Sequence, residues 1–223
     1  MCGRFGFNVN RQRLAECFGL DLDAVPDLTP RYNIAPTQPV AVVRQVGEKR
    51  AVAMMRWGLT AAWSGSRPLF NARAETIHSK SAFREAFAQR RCLVPASWFY
   101  EWPRDARGEM GKRAFMLARR DHAPFAFAGV WDASDKGDAV AVVTCAPNAL
   151  MVPIHDRMPV ILQPDAFGLW LAPDAEPARG LLAPRPWDDF EAVPVGSYVN
   201  STRNEGPDCI LPAAPEPTQG ELF

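Results

Sequence analysis

The chain has 223 residues, 48% of them hydrophobic and 10% aromatic, enough to build a sizeable core without disulfide or metal staples. Lys and Arg number 25 and so do Asp and Glu, giving a formal net charge of zero, so a partner held by a global basic field is excluded and any polyanion must meet locally clustered arginines. Five cysteines without a C-x-x-C pair, three histidines, and no H-E-x-x-H, Walker A or G-x-G-x-x-G signature argue for reduced thiols and against a disulfide framework, a metal or cofactor centre, or a nucleotide-phosphate loop.

Asn10 as an N-cap and Gly19 as a stop bound a short predicted helix over residues 11–19. Pro26, Pro30, Pro36 and Pro39 then break the chain into a loop that contains Tyr32-Asn33-Ile34-Ala35-Pro36-Thr37. Two runs rich in Val and Met, Pro39–Gln45 and Ala51–Trp57, flank a polar turn at Gly47-Glu48 and predict a β-hairpin. From Asn71 to Arg90 helix formers take over, with Phe83, Ala86 and Phe87 at helical spacing, which predicts one or two helices. The runs Cys92–Val94, Trp98–Trp102, Arg113–Leu117, Phe125–Trp131, Ala139–Cys145 and Pro159–Leu162 are short and rich in aromatic and β-branched residues, so they read as strands. Short helices are expected after Pro164 and Pro177.

The sum is an α+β fold of mostly antiparallel strands in curled or barrel-like sheets with a few short helices, one domain over residues 1–210. Residues 211–223 hold three prolines and few anchoring side chains, and are expected to form a disordered tail. No window approaches 18 consecutive apolar residues, and the N-terminus lacks a basic stretch followed by an apolar run, so a cytoplasmic protein is expected.

Chemistry concentrates where polar residues interrupt apolar runs. Cys2 follows the initiator methionine and is small enough for Met1 to be trimmed. It then offers an amine and a thiol on neighbouring carbons. An α-amine with a pKa of roughly 7.7–8.0, against about 10.4 for lysine, is a ready nucleophile near neutrality. Asn71 either orients a nucleophile or N-caps the following helix. Glu101, between Tyr100 and Trp102, is either a water-facing edge residue or a carboxyl group in an apolar pocket, poised to shuttle protons. His155 is either a satisfied structural histidine or a general acid–base near pH 7. Arg4, Arg73, Arg84 and Arg157 stand in or near the same segments and would recognise phosphate if the segments converge. Trp57 and Trp63 offer faces for base stacking or simply pack in the core.

Met1-Cys2-Gly3-Arg4, Tyr32-Asn33-Ile34-Ala35-Pro36-Thr37, Met55-Arg56-Trp57-Gly58-Leu59, Asn71-Ala72-Arg73-Ala74-Glu75-Thr76, Phe99-Tyr100-Glu101-Trp102 and His155-Asp156-Arg157-Met158-Pro159, in that order, resemble the SRAP family of SOS response-associated peptidase proteins. Trp98 departs from the family pattern, which more often has glycine there. The resemblance implies a monomeric sensor of abasic sites in single-stranded DNA that links itself to the ring-opened sugar through Cys2 as a thiazolidine. It also implies self-processing of the N-terminus. Asn71 would then position the terminus, Glu101 handle protons and His155 assist ring opening or reversal. Arg4, Trp57, Arg73, Arg84 and Arg157 would hold the strand.

Two other readings stand beside it. N-terminal-nucleophile amidohydrolases also begin Met-Cys-Gly, although their oxyanion hole typically uses an Asn-Gly pair and this chain has none. A non-covalent single-strand-binding module would use only the arginines and tryptophans. The C-terminal Gln219-Gly220-Glu221-Leu222-Phe223 is similar to peptides that dock on the bacterial sliding clamp, with Gln219, Leu222 and Phe223 as anchors.

Overall fold

Short strands, several of them buried at every residue, assemble into two sheets that share a core. The computed structural model describes residues 2–60, 67–103, 113–133 and 137–213. The first sheet is antiparallel throughout: β13 (Phe190–Val195), β8 (Ala114–Arg119), β7 (Trp98–Glu101), β1 (Phe5–Phe7) and β2 (Arg31–Ile34), in that spatial order. The second contains β3 (Pro39–Val46), β4 (Lys49–Trp57), β5 (Asn71–Arg73), β6 (Arg91–Ala96), β9 (Phe125–Asp132), β10 (Ala139–Cys145), β11 (Met158–Pro159) and β12 (Ile161–Leu162). Its order is β11-β10-β4-β3-β6-β9-β12, and a further pairing of β9 with β10 closes β10-β4-β3-β6-β9 into a ring. The expected fold of mostly antiparallel, barrel-like sheets is what the structure has, with parallel pairing confined to β10 against β4 and β5 among the named strands.

Local signals act where they are strong. The Asn10 side chain accepts a hydrogen bond from the Arg13 amide, Gly19 closes α1 (Arg11–Phe18) in the left-handed region, and β3 and β4 form the hairpin in register from Pro39–Arg56 to Val46–Lys49. The short helices after Pro164 and Pro177 are present, α3 (Phe167–Leu171) following the first.

Residues 71–90 correct the helical expectation. Asn71–Arg73 form β5, parallel to β10, and only Arg84–Gln89 form a helix, α2. Ala72 is fully buried beside a β10 strand whose residues are all buried, and the Ala74 amide extends the ladder to the Thr144 carbonyl. A complete backbone ladder in a dry interior outweighs the modest helix propensity of the segment.

The chain crosses between sheets at Ser97, which joins β6 to β7. Its amide donates to the Gly6 carbonyl at 2.8 Å, and its hydroxyl accepts from the Asn8 amide at 3.0 Å, so the crossing is tied to β1. On one face of the first sheet, Phe5 meets Trp57 and Phe127 edge-on at 5.3 and 5.5 Å. On the other face Trp98 and Tyr100 pack with Val195, Val199 and Cys209. The Trp98 indole crosses so closely over Gly6 that a Cβ there would meet it at 2.1 Å. The lack of a side chain at Gly6 leaves room for the ring.

Leu211–Ala213 run beside β13, where the Ala213 amide donates to the Pro194 carbonyl. Gln219, Leu222 and Phe223 lie outside the described residues, as does Trp63. Among the described residues, no helix is long and apolar enough to cross a membrane.

Candidate active site

Three chain segments converge on Cys2. The Tyr100 amide donates to the Arg4 carbonyl at 2.9 Å and Phe5 pairs with Phe99, so the residues before β1 run alongside the end of β7. Alternation along β7 sends Trp98 and Tyr100 to the outer cluster, and puts Glu101 on the opposite face with Phe99. From the second sheet, Asn71 at the start of β5 donates from Nδ2 to the Cys2 carbonyl at 3.0 Å. Cys2 has no exposed surface and Glu101 is 4% exposed.

The electrostatics follow from this burial. Desolvation pushes the Cys2 thiol well above its ordinary value, and the nearby negative charge of Glu101 pushes the same way, while a hydrogen bond from the Arg4 amide acts in the opposite sense. The sulfur is therefore held as S–H at neutral pH. Asn71 adds an acceptor: its Oδ1 is buried without a hydrogen-bond partner among the described residues. A buried amide oxygen left open beside a chain terminus is matched to an N–H donor.

Trp57 fixes this corner from behind. Its indole N–H donates to the Phe70 carbonyl at 3.0 Å, directly before Asn71, and its ring is fully buried against Phe5. The expectation of a stacking platform is corrected here: Trp57 presents no open face to a base.

The arginines divide by environment. Arg73 is exposed and, two residues beyond Asn71 on β5, projects to the same face. Arg157 makes a bidentate pair with Glu75 at 2.6 and 2.9 Å, and donates to the Thr144 carbonyl at 2.6 Å; Thr144 is the register partner of Arg73. Arg4 is a brace, donating to Asn33 Oδ1 and the Val199 carbonyl, both at 2.8 Å, with its guanidinium over the Trp102 ring. Asn33 in turn donates to the Ser201 and Asn204 carbonyls, tying the late turns of the chain to the segment that carries Cys2. Arg84 stands exposed at the start of α2, and no side-chain contact joins it to this cluster among the described residues.

His155 is buried, on the segment that leads into β11, and joins the cluster through Arg157. Its Nδ1 faces the Arg157 amide at 2.9 Å and Asp156 Oδ1 at 2.8 Å. One nitrogen cannot serve both partners at once. Unprotonated, Nδ1 accepts from the Arg157 amide; protonated, it donates to Asp156, so the proton decides which contact is made.

Glu75, Thr144, Asn33 and Asp156 are the supporting residues to which sequence reasoning gave no role. Only Glu75 carried a usable signal, two residues beyond Arg73 within the motif Asn71-Ala72-Arg73-Ala74-Glu75-Thr76. Among the described residues, no group of three or more His, Cys, Asp or Glu side chains is arranged to hold a metal.

The family model described as SOS response associated peptidase (SRAP) matches residues 1–202. The abasic site processing protein YoqW of Bacillus subtilis is 36% identical over 225 residues, covering 94% of this chain and 99% of that protein. The abasic site processing protein YedK of Escherichia coli is 29% identical over 224 residues, covering 95% and 100%. A crystal structure of a protein from Bacteroides thetaiotaomicron superposes with a TM-score of 0.81 at 21% identity, covering 96% of this chain and 100% of that one, a likeness of fold.

Proposed function

The chain belongs to the SOS response associated peptidase (SRAP) family, and from that premise we propose that it processes abasic sites in DNA, capturing them in single strands as covalent adducts of Cys2 once Met1 has been removed. The observation that carries the reading is the Asn71–Cys2 hydrogen bond, which holds Cys2 beside Glu101 with an open acceptor, Asn71 Oδ1, close by.

An abasic deoxyribose opens to an aldehyde at C1′. The Cys2 amine adds to C1′, and loss of one water leaves an iminium, with Glu101 supplying the proton that departs with the hydroxyl. The thiol then adds to C1′ of the iminium: a C1′–S bond forms, the C=N π pair returns to nitrogen, and the sulfur proton passes to Glu101, restoring the carboxyl group that gave its proton to the departing hydroxyl. Aldehyde and aminothiol thus give a thiazolidine and one water, with no change of oxidation state. Because burial keeps the sulfur protonated, the amine reacts first and the sulfur follows once the more electrophilic iminium exists. Ring closure removes the iminium that would acidify C2′ and expel the 3′ phosphate, so capture competes with strand breakage.

Asn71 fixes the attacking residue, and His155, with its Nδ1 between two partners, assists opening of the sugar and reversal of the adduct. Arg73 and Arg157 face the backbone of the bound strand, with Arg4 and Arg84 as further phosphate contacts. Cys2 also serves the autopeptidase step that exposes its own amine, and Gln219, Leu222 and Phe223 dock on the sliding clamp.

Intact mass spectrometry of the mature protein mixed with an abasic oligonucleotide tests the core of the proposal. The expected product has the summed mass less one water, survives denaturing gels and disappears in Cys2→Ala and in protein retaining Met1. An adduct that persists in Cys2→Ala would overturn it.

A further inference from the structure

Two cavities lie end to end beyond the Arg73 face, and the mechanism above uses neither. The first, about 410 Å³, begins at Ala74 and Glu75, immediately after β5, and is also lined by His78, Arg179 and Pro184. The second, about 680 Å³, shares Pro184 with the first and reaches Arg120, Arg185 and Trp187. Each falls in the roughly 300–1,000 Å³ range of clefts that take a small ligand. Their linings mix apolar surface, buried at Leu182 and Trp187 and more open at Leu150 and Pro186, with the cations Arg179, Arg120 and Arg185.

The charges differ along the way. At the near end Arg157 is satisfied by Glu75, and Arg179 pairs with Glu176 at 2.9 Å. At the far end Arg120 and Arg185 are both exposed, and among the described residues neither guanidinium has an ionic partner. Asp188 is the acidic side chain lining that cavity. Free guanidinium groups beside apolar surface suit a ligand with a row of phosphates and flat, weakly polar bodies between them.

The geometry points to this double cavity as a path for one flank of the DNA single strand, extending the binding site from the Arg73 face over Pro184 to Arg120 and Arg185. The inference rests on the single-strand reading above, and adds a remote segment to it. Bases lie over the apolar surface and phosphates reach the two arginines. The contact is made to phosphates by the two arginines and not to base edges: the Asn148 amide that lines the far cavity already donates to the Arg185 carbonyl.

Fluorescence anisotropy with undamaged single strands of graded length, at several salt concentrations, reads the groove apart from the covalent chemistry. Two lost phosphate contacts lower the slope of log affinity against log salt by about 1.4, so raising salt from about 50 to 200 mM costs the wild type roughly sevenfold more than Arg120→Gln/Arg185→Gln. That loss is expected only with strands long enough to reach the far cavity, with Arg120→Lys/Arg185→Lys restoring the slope. The rate of adduct formation with a minimal abasic oligonucleotide should be the same in every variant. A full slope in the glutamine variant, an equal loss on short strands, or failure of lysine to rescue would each overturn the groove. Absence of any Cys2-dependent adduct in the wild type would instead count against the catalytic reading, while the salt slopes would still decide whether the groove binds a strand.

Discussion

Replacing Asn71 with alanine should slow adduct formation about 30-fold without unfolding the protein. The Nδ2 donor lies 3.0 Å from the Cys2 carbonyl, and Cys2 has no exposed surface, so water cannot replace the lost donor. A typical intramolecular hydrogen bond contributes about 1 kcal/mol, and a buried carbonyl left unsatisfied costs about 1–3 kcal/mol, which together set the loss near 2 kcal/mol. If that energy holds Cys2 in its attacking pose, each ~1.4 kcal/mol is worth a decade in rate, and 2 kcal/mol corresponds to about 30-fold. Asn71→Asp should be at least as slow. It keeps one oxygen, but turns a second toward the Cys2 carbonyl and adds a negative charge near Glu101. The assay is single-turnover adduct formation at saturating abasic oligonucleotide, quenched into denaturing gels, with thermal melting as the control for folding. An Asn71→Ala rate within threefold of wild type, in a protein that melts normally, would refute the positioning argument.

Gly6→Ala should destabilise the fold by about 3 kcal/mol. The new Cβ meets the Trp98 indole at 2.1–2.4 Å, and the ring is held by a 2.7 Å bond from its N–H to the Tyr100 hydroxyl, so relief costs either packing or that bond. Calorimetry should show a melting temperature lower by about 6–12 °C, and the Gly6→Ala/Trp98→Ala pair should cost about 2 kcal/mol less than the sum of its parts; strict additivity would count against the clash. Glu75 gives a pH signature. Hydrogen bonds from Arg157 hold its carboxyl below the usual range, so its contribution to stability is present above the unfolded value and is lost as pH falls from about 4.5 through the folded value. Glu75→Gln should therefore flatten the acid limb of urea midpoints measured against pH, and an unchanged limb would show that the pair does nothing for stability.

What could be read from the sequence was local. Asn10 and Gly19 bracket α1 within ten residues, and the β3–β4 hairpin closes over the Gly47-Glu48 turn, so capping and turn chemistry sufficed. β5 was not legible because its partner, β10, lies some 70 residues downstream, and nothing in Asn71-Ala72-Arg73 announces a parallel neighbour. Trp57 was different. Met55 and Trp57 alternate inward while Arg56 points outward, a period-two signal for burial that goes unused where the sequence reading keeps both stacking and core packing open for Trp57. Of the site residues, Cys2, Asn71 and Glu101 are brought together in the fold. Arg84 is not joined to them, because the shortened helix begins at that residue, beyond ten residues of turn.

Every contact described for Cys2 engages its carbonyl, its sulfur or atoms further along the chain: Asn71 at the carbonyl, the Arg4 amide at the thiol, Tyr100 at the Arg4 carbonyl. Under the proposed chemistry, removal of Met1 would uncover a nucleophile whose carbonyl and thiol are already held by Asn71 and the Arg4 amide.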